Sequence, residues 1–316
     1  MIAIYLQFGL VNGNIVTFSA NHEVVSIGLF YGNSGGAIMR EEVIGDCRLI
    51  LGDCLDVLPS VGTVDMIFTS PPYNMGNTRG GGMPGRVRGH YPEGAPFSRR
   101  GGCGKWSGGA LANGYGAHDD NMSHEDYVAW QKRVLTACWA QLSEAGAIFY
   151  NHKQRIFDGL CVTPLDYNPE LPVRQIIIWA RAGGMNFSPA FYLPTHEWIV
   201  LFAKPDFRLK SKEASGAGDV WYVPQESGTP HPAPFPVAVP ARAITTTAAK
   251  VICDPFMGWG STGVAAVRAG RKFVGIEMEP KWFDLACRRI ESAYAQPDMF
   301  VERPAPAEQL SLMVEG

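Results

Sequence analysis

The chain of 316 residues is 46% hydrophobic, so it can bury one large core or two smaller ones. Its 27 Lys and Arg against 30 Asp and Glu give a net charge of −3, which excludes nucleic-acid binding through whole-chain charge and requires any basic surface to be local. Seven scattered cysteines without a CxxC pair, and no apolar stretch near the roughly 20 residues that span a bilayer, predict a protein of a reducing cytoplasm with no metal site and no membrane partner.

The N-terminal residues 1–38 alternate apolar and polar side chains, which is consistent with a hairpin but carries no recognisable chemistry. Met39 begins the segment MREEVIGDCRLILGD, which resembles the start of a protein domain. We therefore predict an N-terminal extension over 1–38, either an addition to the domain or the product of an upstream start codon. One domain is predicted over 39–296, and a C-terminal tail over 297–316.

From Cys47 onward, short apolar runs rich in β-branched residues alternate with helical patterns. The runs predict strands, and they read RLILGD, VDMIFTS, GAIFYN, RQIIIWAR, HEWIVLFAK, KVICDPF and KFVGIE. Apolar residues that recur at three and four positions predict helices over 124–142, 261–270 and 281–294. The alternation of strand and helix predicts a doubly wound α/β fold with a mostly parallel sheet.

Two segments interrupt this alternation. Residues 76–118 are rich in glycine and carry six cations against the single acid Glu93. The six cations are Arg79, Arg86, Arg88, Arg99, Arg100 and Lys105. This basic insertion is either a flexible surface loop or a lid that binds the phosphates of a nucleic acid. The second segment, 223–240, is rich in proline and is expected to form neither a regular strand nor a helix.

Polar residues follow four of the predicted strands, namely Asp53, Ser70, Asp254 and Glu277. Open α/β sheets bind ligands at the carboxyl ends of their strands, so these positions predict a single site. Asp254 begins the turn DPFMGWGSTG, whose glycines let the backbone approach a ligand at the start of a helix, although an ordinary strand-to-helix connection would also explain the turn alone. Glu277 ends the next strand, where an acid accepts hydrogen bonds from ribose hydroxyls, and the pair together predicts an adenosine-type cofactor.

The segment TSPPYN at 69–74, with DPFMGWGSTG and FVGIE far downstream, resembles the β-type amino-methylating DNA methyltransferases, in which the catalytic motif precedes the cofactor motif. The resemblance spans 47–294 and includes GDCLDVLP at 52–59 and HPAPFP at 231–236. It implies a Rossmann-like fold with a permuted motif order, and S-adenosylmethionine as the methyl donor. Trp259 departs from the family pattern, which commonly has a small residue between the two glycines, and this leaves the shape of the turn open.

The resemblance also implies which residues form the site. The catalytic set is Ser70, Pro71, Pro72, Tyr73 and Asn74. The cofactor set is Asp53, Cys54, Phe235, Pro236, Asp254, Pro255, Phe256, Gly258, Gly260, Ser261, Thr262 and Glu277. The six cations of the basic insertion would bind DNA. Two members keep a purely structural alternative, because Asp53 is placed to cap a helix and Phe235 to fill the core.

The chemistry of the family explains the stiff TSPPYN turn. An exocyclic amino group on a base is a poor nucleophile because its lone pair is delocalised into the ring. The resemblance implies that the Ser70 side chain and the Pro71 carbonyl accept its two N–H bonds, and that rigid prolines aim these acceptors in advance. Tyr73 would stack on a base that is flipped out of the duplex, and Asn74 would either bond to the target or end the turn.

Three functions are compatible with these residues: a DNA amino-methyltransferase, a methyltransferase of the same fold that acts on RNA or a protein amide, and a nucleic-acid-binding relative without activity. The intact motifs and the basic insertion favour the first, with double-stranded DNA as partner and a bacterial or phage-encoded origin. Serine at position 70 favours cytosine N4, whereas an asparagine after the tyrosine is common among adenine N6 enzymes, so adenine stays as the alternative. A homodimer and a cognate restriction endonuclease are further partners that the resemblance allows. His196 and Glu197 are expected to be structural rather than metal ligands.

Overall fold

The computed structural model describes residues 9–11, 14–16, 28–30, 39–74, 122–157, 159–181, 191–226 and 235–295. The predicted basic insertion and the predicted C-terminal tail lie outside the described residues. Within these ranges, no helix is both long and apolar enough to cross a membrane.

The elements are numbered in chain order. The strands are β1 (Gly9–Val11), β2 (Asn14–Val16), β3 (Gly28–Phe30), β4 (Met39–Ile44), β5 (Cys47–Leu51), β6 (Val64–Thr69), β7 (Leu142–His152), β8 (Arg155–Phe157), β9 (Leu160–Val162), β10 (Val173–Ala180), β11 (His196–Ala203), β12 (Val220–Tyr222), β13 (Val251–Asp254) and β14 (Lys272–Glu277). The helices are α1 (Cys54–Val57), α2 (His124–Ala140), α3 (Lys212–Ser215), α4 (Ala238–Thr246), α5 (Ser261–Arg268) and α6 (Pro280–Ala295). Two 3₁₀ helices cover Leu58–Ser60 and Pro164–Tyr167.

Ten of the described strands form one sheet in the order β12-β10-β11-β7-β6-β13-β14-β5-β4-β3. The five central strands, β7 to β5 in that order, run parallel to one another. Because β11 is antiparallel to β7 and β10 is antiparallel to β11, β10 and β12 point the same way as the centre. The carboxyl ends of the parallel strands therefore meet at one edge of the sheet, where open α/β folds bind their ligands.

Both faces of the central sheet are buried. Phe68 of β6 points into one apolar cluster, which it shares with α4, α5 and α6, while its neighbour Ile67 points into a second cluster with α1 and α2. Successive residues of a strand face opposite sides of the sheet, so continuous apolar runs are what such a central strand requires. The seven runs predicted as strands all form strands of this sheet, and the three predicted helices correspond to α2, α5 and α6.

Local signals fix the start of α2, the helix that follows the basic insertion. Ser123 lies at its N-cap, where its Oγ accepts a hydrogen bond from the backbone N–H of Asp126 at 3.1 Å. Glu125 and Asp126 add negative charge to the first turn, which the helix dipole favours. The local sequence therefore determines where α2 begins.

The prediction for the proline-rich segment 223–240 is wrong at its end. Residues 238–240 form the first turn of α4, and Pro240 occupies the third position of that helix. Proline is tolerated in a first helical turn because the backbone N–H that it lacks would have no partner there. The hairpin expected in the N-terminal residues is present, since β1 pairs with β2, and β3 joins the main sheet beside β4.

Candidate active site

A pocket opens at the carboxyl ends of β5, β6, β13 and β14. Eight of its lining residues belong to the predicted sets: Asp53, Cys54, Ser70, Pro72, Pro255, Phe256, Gly258 and Glu277. Four were not predicted, namely Gly52, Trp130, Met278 and Trp282. The fold therefore brings segments that are about 200 residues apart in the chain to the walls of one cavity, as the strand order requires.

Glu277 is the acid at the end of β14, and its carboxylate braces the glycine turn. Its Oε2 accepts the N–H of Gly258 at 2.8 Å and its Oε1 accepts the N–H of Glu279 at 2.9 Å. The residue lines the pocket, yet its carboxylate lies deep among protein atoms, and this burial raises the pKa of Glu277 to about 7. Each carboxylate oxygen can accept a second hydrogen bond, so the group retains acceptors for the hydroxyls of a ribose.

Asp254 lies beneath the turn and does not line the pocket. It is fully buried, and it accepts hydrogen bonds from the Thr69 hydroxyl at 2.9 Å, the Thr262 hydroxyl at 2.6 Å and the Phe256 N–H at 3.1 Å. Burial raises the pKa of Asp254 to about 6, against the lowering effect of these three donors. Asp254 therefore joins the end of β6 to the glycine turn and the start of α5.

Two glycines of the turn have a left-handed backbone, whereas their predicted approach to a ligand remains a prediction. Gly258 has φ 54° and Gly260 has φ 90°, and a Cβ at Gly260 would come within 3.2 Å of Ala286 in α6. Trp259 between them contacts Arg289, whose guanidinium lies 3.6 Å from its ring centroid and donates to its carbonyl at 2.9 Å. The residue that departs from the family pattern is thus in contact with a cation from α6.

The remaining pocket walls are aromatic or come from the end of β5. Trp130 of α2 meets Phe256 edge to face, with ring centroids 5.6 Å apart. Asp53 lines the pocket and also caps α1, since its Oδ1 accepts the N–H of Leu55 at 2.8 Å. Aromatic rings beside the carboxylates of Asp53 and Glu277 fit an adenosine group linked to a cationic sulfonium, so the residues present suit S-adenosylmethionine.

The side chains of the TSPPYN turn form a polar cluster. Ser70 Oγ lies 2.8 Å from Tyr73 Oη, which donates to Glu197 Oε2 at 3.1 Å. Asn151 Nδ2 donates to this group as well, at 3.2 Å from Ser70 Oγ, 3.3 Å from Tyr73 Oη and 2.9 Å from Glu197 Oε2. Arg181 pairs with the other carboxylate oxygen of Glu197 at 3.1 Å.

The backbone of the turn is held from behind by a second cluster. Tyr127 Oη lies 2.8 Å from the Pro72 carbonyl and 2.8 Å from His152 Nε2, and it accepts from Gln131 Nε2 at 2.8 Å. Burial lowers the pKa of His152 to about 3, so this ring is neutral at physiological pH. Among the described residues, no hydrogen bond ends at the carbonyl of Pro71, the second acceptor implied by the resemblance.

Asn74 ends the turn and joins both ends of the segment 75–121. Its amide donates to the Met122 carbonyl at 2.8 Å and accepts the Met122 N–H at 2.8 Å. Its backbone is left-handed, with φ 50°, and its carbonyl accepts from Arg155 at 2.9 Å. Each polar atom of the amide thus makes one hydrogen bond to the backbone, as expected of a residue that ends the turn.

Other predicted residues lie away from the pocket lining. Phe235 packs on Phe68 in the core, with ring centroids 5.7 Å apart, and the carbonyl of Pro236 accepts the N–H of Val239 at the start of α4. Pro71, Tyr73, Asn74, Asp254, Gly260, Ser261 and Thr262 lie in the same turns as lining residues without lining the pocket themselves. The six cations of the basic insertion lie outside the described residues.

The residues that sequence reasoning missed fall into two groups. Gly52 and Met278 adjoin predicted strand-end residues, so a wider reading of the strand ends would have found them. Trp130 and Trp282 belong to helices whose rotation against the sheet is set by packing, and no local signal marks them. Glu197 was interpreted as structural because it begins a strand and has no HExxH partner. Its proximity to Tyr73 and Asn151 depends on the antiparallel pairing of β11 with β7 and β10, which no local pattern shows.

The N6_N4_Mtase family, described as DNA methylase, matches residues 64–288, a range that includes both the TSPPYN turn and the glycine turn. The chain belongs to this family. The prediction of an S-adenosylmethionine-dependent DNA methyltransferase that acts on amino groups is confirmed at the level of the family, which covers N6 and N4 enzymes alike.

Two curated relatives of the methylase come from Bacillus subtilis. Type II methyltransferase M.BglII is 24% identical over 283 residues, which are 76% of this chain and 67% of the relative. Type II methyltransferase M.BglI is 34% identical over 141 residues, which are 38% of this chain and 40% of the relative.

Two solved structures share the fold of the methylase. The cytosine-N4-specific PvuII DNA methyltransferase aligns with a TM-score of 0.56 at 15% identity, over 80% of this chain and 93% of that one. A Thermus thermophilus protein described as a DNA modification methylase, in complex with S-adenosyl-L-methionine, aligns with a TM-score of 0.51 at 22% identity, over 77% of this chain and 93% of that one. The predicted Rossmann-like fold is therefore confirmed.

Proposed function

We propose that this methylase transfers a methyl group from S-adenosylmethionine to the N4 amino group of a cytosine that is flipped out of double-stranded DNA. The observation that carries the proposal is the shared pocket, whose walls include Ser70 and Pro72 of the catalytic turn and Asp53 and Glu277 of the predicted cofactor set. Bound S-adenosylmethionine supplies an electrophilic methyl group. The catalytic domain is proposed to span 39–296, with residues 1–38 as an extension.

The catalytic turn makes the amino group nucleophilic. Ser70 Oγ and the Pro71 carbonyl accept its two N–H bonds, which localises the nitrogen lone pair away from the ring. The bond between Tyr127 and the Pro72 carbonyl, together with two fixed proline φ angles, keeps these acceptors aimed before the base arrives. Acceptors that need no reorganisation stabilise the developing charge at little cost.

Both ends of the cofactor are assigned to residues around the pocket. The carboxylate of Glu277 accepts the ribose hydroxyls, and Asp53 and Cys54 face the adenine end. Phe256 and Trp130 supply aromatic faces that favour the positive sulfonium. Asp254, Thr262 and the glycines of the turn hold this wall in shape from behind.

The role proposed for Tyr73 requires a local movement. Its ring is buried, and the Lys153 ammonium lies over it at 4.7 Å from the centroid. A base that stacks on Tyr73 therefore displaces Lys153 from this ring, and the freed ammonium can then pair with a DNA phosphate. The six cations of the basic insertion are proposed to contact phosphates in the same complex.

Adenine N6 is the alternative target. It is favoured by the asparagine at position 74, whose amide makes two hydrogen bonds to the backbone of Met122. Serine at position 70 leaves cytosine as the preferred base. A homodimer and a cognate restriction endonuclease remain proposals, as do RNA or a protein amide as less favoured substrates.

The proposal is tested by incubating the purified protein with unmethylated mixed-sequence DNA and labelled S-adenosylmethionine, and then identifying methylated nucleosides by mass. N4-methylcytosine is the expected product. Detection of N6-methyladenine instead would show that adenine, not cytosine, is the target base. Label in RNA or protein but not in DNA would overturn the DNA substrate. Ser70→Ala should lower turnover by about 10²- to 10³-fold with S-adenosylmethionine affinity unchanged, because it removes one acceptor of the amino group; unchanged turnover would refute its role.

A further inference from the structure

The polar cluster behind Ser70 has a defined hydrogen-bond direction. A carboxylate only accepts hydrogen bonds, so Tyr73 donates its hydroxyl proton to Glu197 Oε2 at 3.1 Å. Tyr73 Oη then accepts from Ser70 Oγ, 2.8 Å away, because the single tyrosine proton is already used. The chain of donors therefore runs from Ser70 through Tyr73 to Glu197.

Asn151 reinforces the same direction. Its Nδ2 faces Glu197 Oε2 at 2.9 Å, and since the carboxylate cannot donate, the amide NH₂ must be the group on this side. The same nitrogen donates to Ser70 Oγ at 3.2 Å. Ser70 Oγ thus gives its proton to Tyr73 and uses one lone pair for the second N–H of Asn151, which it shares with Tyr73 Oη 3.3 Å from the nitrogen. This leaves one lone pair of Ser70 Oγ for an N–H of the substrate.

Arg181 forms an ion pair with Glu197, the last acceptor of this series of hydrogen bonds. It pairs with Glu197 Oε1 at 3.1 Å, and the two side chains are only 14% and 6% exposed. A buried carboxylate without a partner would be strongly disfavoured, whereas the arginine and two hydrogen-bond donors, Tyr73 and Asn151, compensate the loss of solvent. The pair is held by the sheet, because Arg181 follows β10 and Glu197 lies in the adjacent strand β11.

We propose that Glu197 is a positioning residue for methyl transfer, which acts through Tyr73 to turn the Ser70 hydroxyl proton away from the substrate so that Ser70 accepts the amino N–H. Without the charge at position 197, Tyr73 can donate to Ser70, and the Ser70 proton then faces the incoming N–H bond. This inference rests on the proposed function. It assigns a catalytic contribution to a residue that does not itself touch the base.

The test is a kinetic comparison of Glu197→Gln with the wild-type protein on DNA under single-turnover conditions. Glutamine has nearly the same size but both donates and accepts, so it no longer fixes the direction of the Tyr73 hydroxyl. We expect the rate of methyl transfer to fall at least about tenfold, with little change in the Kd for S-adenosylmethionine or in KM for DNA. Glu41→Gln is the matched control, since Glu41 also pairs with an arginine, Arg48 at 2.9 Å, but lies on β4 away from the turn.

A double-mutant cycle separates positioning from a merely structural role. If Glu197 acts through Ser70, Glu197→Gln should cause no further loss of rate in a Ser70→Ala background. Should Glu197→Gln fail to fold, Tyr73→Phe removes the same relay hydroxyl, and we expect the same loss of rate and the same lack of further loss with Ser70→Ala. A wild-type rate in Glu197→Gln, or a loss that multiplies with that of Ser70→Ala in either variant, overturns the inference. Absence of DNA methylation by the wild-type protein overturns the proposed function instead.

Discussion

Removing the Asp254 carboxylate should destabilise the protein and weaken cofactor binding together, because this group braces the glycine turn, which we propose forms part of the cofactor site. In Asp254→Ala, the hydroxyls of Thr69 and Thr262 and the N–H of Phe256 all lose their acceptor. A buried donor left without a partner costs about 1–3 kcal/mol. Part of this is offset, because the variant no longer buries a carboxylate whose pKa is raised to about 6. We expect a net loss of about 3 kcal/mol in the free energy of unfolding.

The assay combines thermal unfolding with calorimetric titration of S-adenosylmethionine. A loss of about 3 kcal/mol lowers Tm by about 6–12 °C in a domain of this size. The Kd for the cofactor should rise about tenfold, because the turn that carries Phe256 and Gly258 is no longer fixed to β6. Asp254→Asn is the matched control: it keeps one acceptor oxygen in nearly the same shape, so we expect a loss of about 1 kcal/mol.

Two outcomes would contradict this reasoning. If Asp254→Ala keeps both its Tm and its cofactor affinity, the brace has no energetic role. If both variants keep their Tm but bind S-adenosylmethionine about tenfold more weakly, the carboxylate contacts the cofactor directly, contrary to its complete burial beneath the turn.

Three further predictions concern the pocket and its surroundings. The carboxylate form of Glu277 accepts ribose hydroxyls, so the affinity for S-adenosylmethionine should increase as the pH rises through about 7, and Glu277→Gln should remove this dependence. The stability of the apoprotein should follow the opposite trend. Because the folded pKa of Glu277 lies above the unfolded value of 4.5, its contribution to stability is largest below about pH 4.5 and is lost as the pH rises through about 7. Asn74→Ala loses two hydrogen bonds to Met122 and strains a left-handed backbone, so its DNA affinity should fall, with about 1 kcal/mol more destabilisation than Asn74→Gly measured by urea unfolding; equal stabilities of the two variants would exclude strain at this position. Neutralising the six cations of the basic insertion together should raise the Kd for DNA and flatten its dependence on salt in a titration series, whereas an unchanged salt slope would remove the insertion from the DNA interface.

Much of the fold follows from local patterns in the chain. The apolar runs around Phe68 and Cys253 predict buried parallel strands, because only a sheet covered on both faces accepts uninterrupted apolar side chains. Helix α2 begins where Ser123 and the acids after it predict an N-terminus. The exception is the start of α4, where prolines conceal a helix because a first turn does not need the missing N–H.

Residues of the candidate site were predicted from the sequence where a polar side chain follows a strand. Residues contributed by distant strands and helices, such as Trp130 and Trp282, were missed. Asp53, Ser70 and Glu277 line one pocket because parallel strands bring their carboxyl ends to the same edge. The predicted role of Asp254 at the cofactor remains a prediction, and the structure places this residue behind the turn as its brace. Phe235 likewise lies against Phe68 in the core, which is the alternative considered for it.

The sequence by itself determined the fold class and the order of the two motifs, because periodicity and strand-end residues are properties of short segments, whereas the chemistry of the TSPPYN turn is what the resemblance implies and remains a prediction. Only the tertiary structure decided that Glu197 and Arg181, more than 100 residues after Ser70 in the chain, are linked to the Ser70 hydroxyl. The link runs through Tyr73, which bonds to both Ser70 and Glu197. The tertiary structure also decided that the amide of Asn74 holds Met122. Hydrogen bonds between side chains depend on distances of a few tenths of an ångström, and these are set by strand register and helix packing rather than by any local pattern.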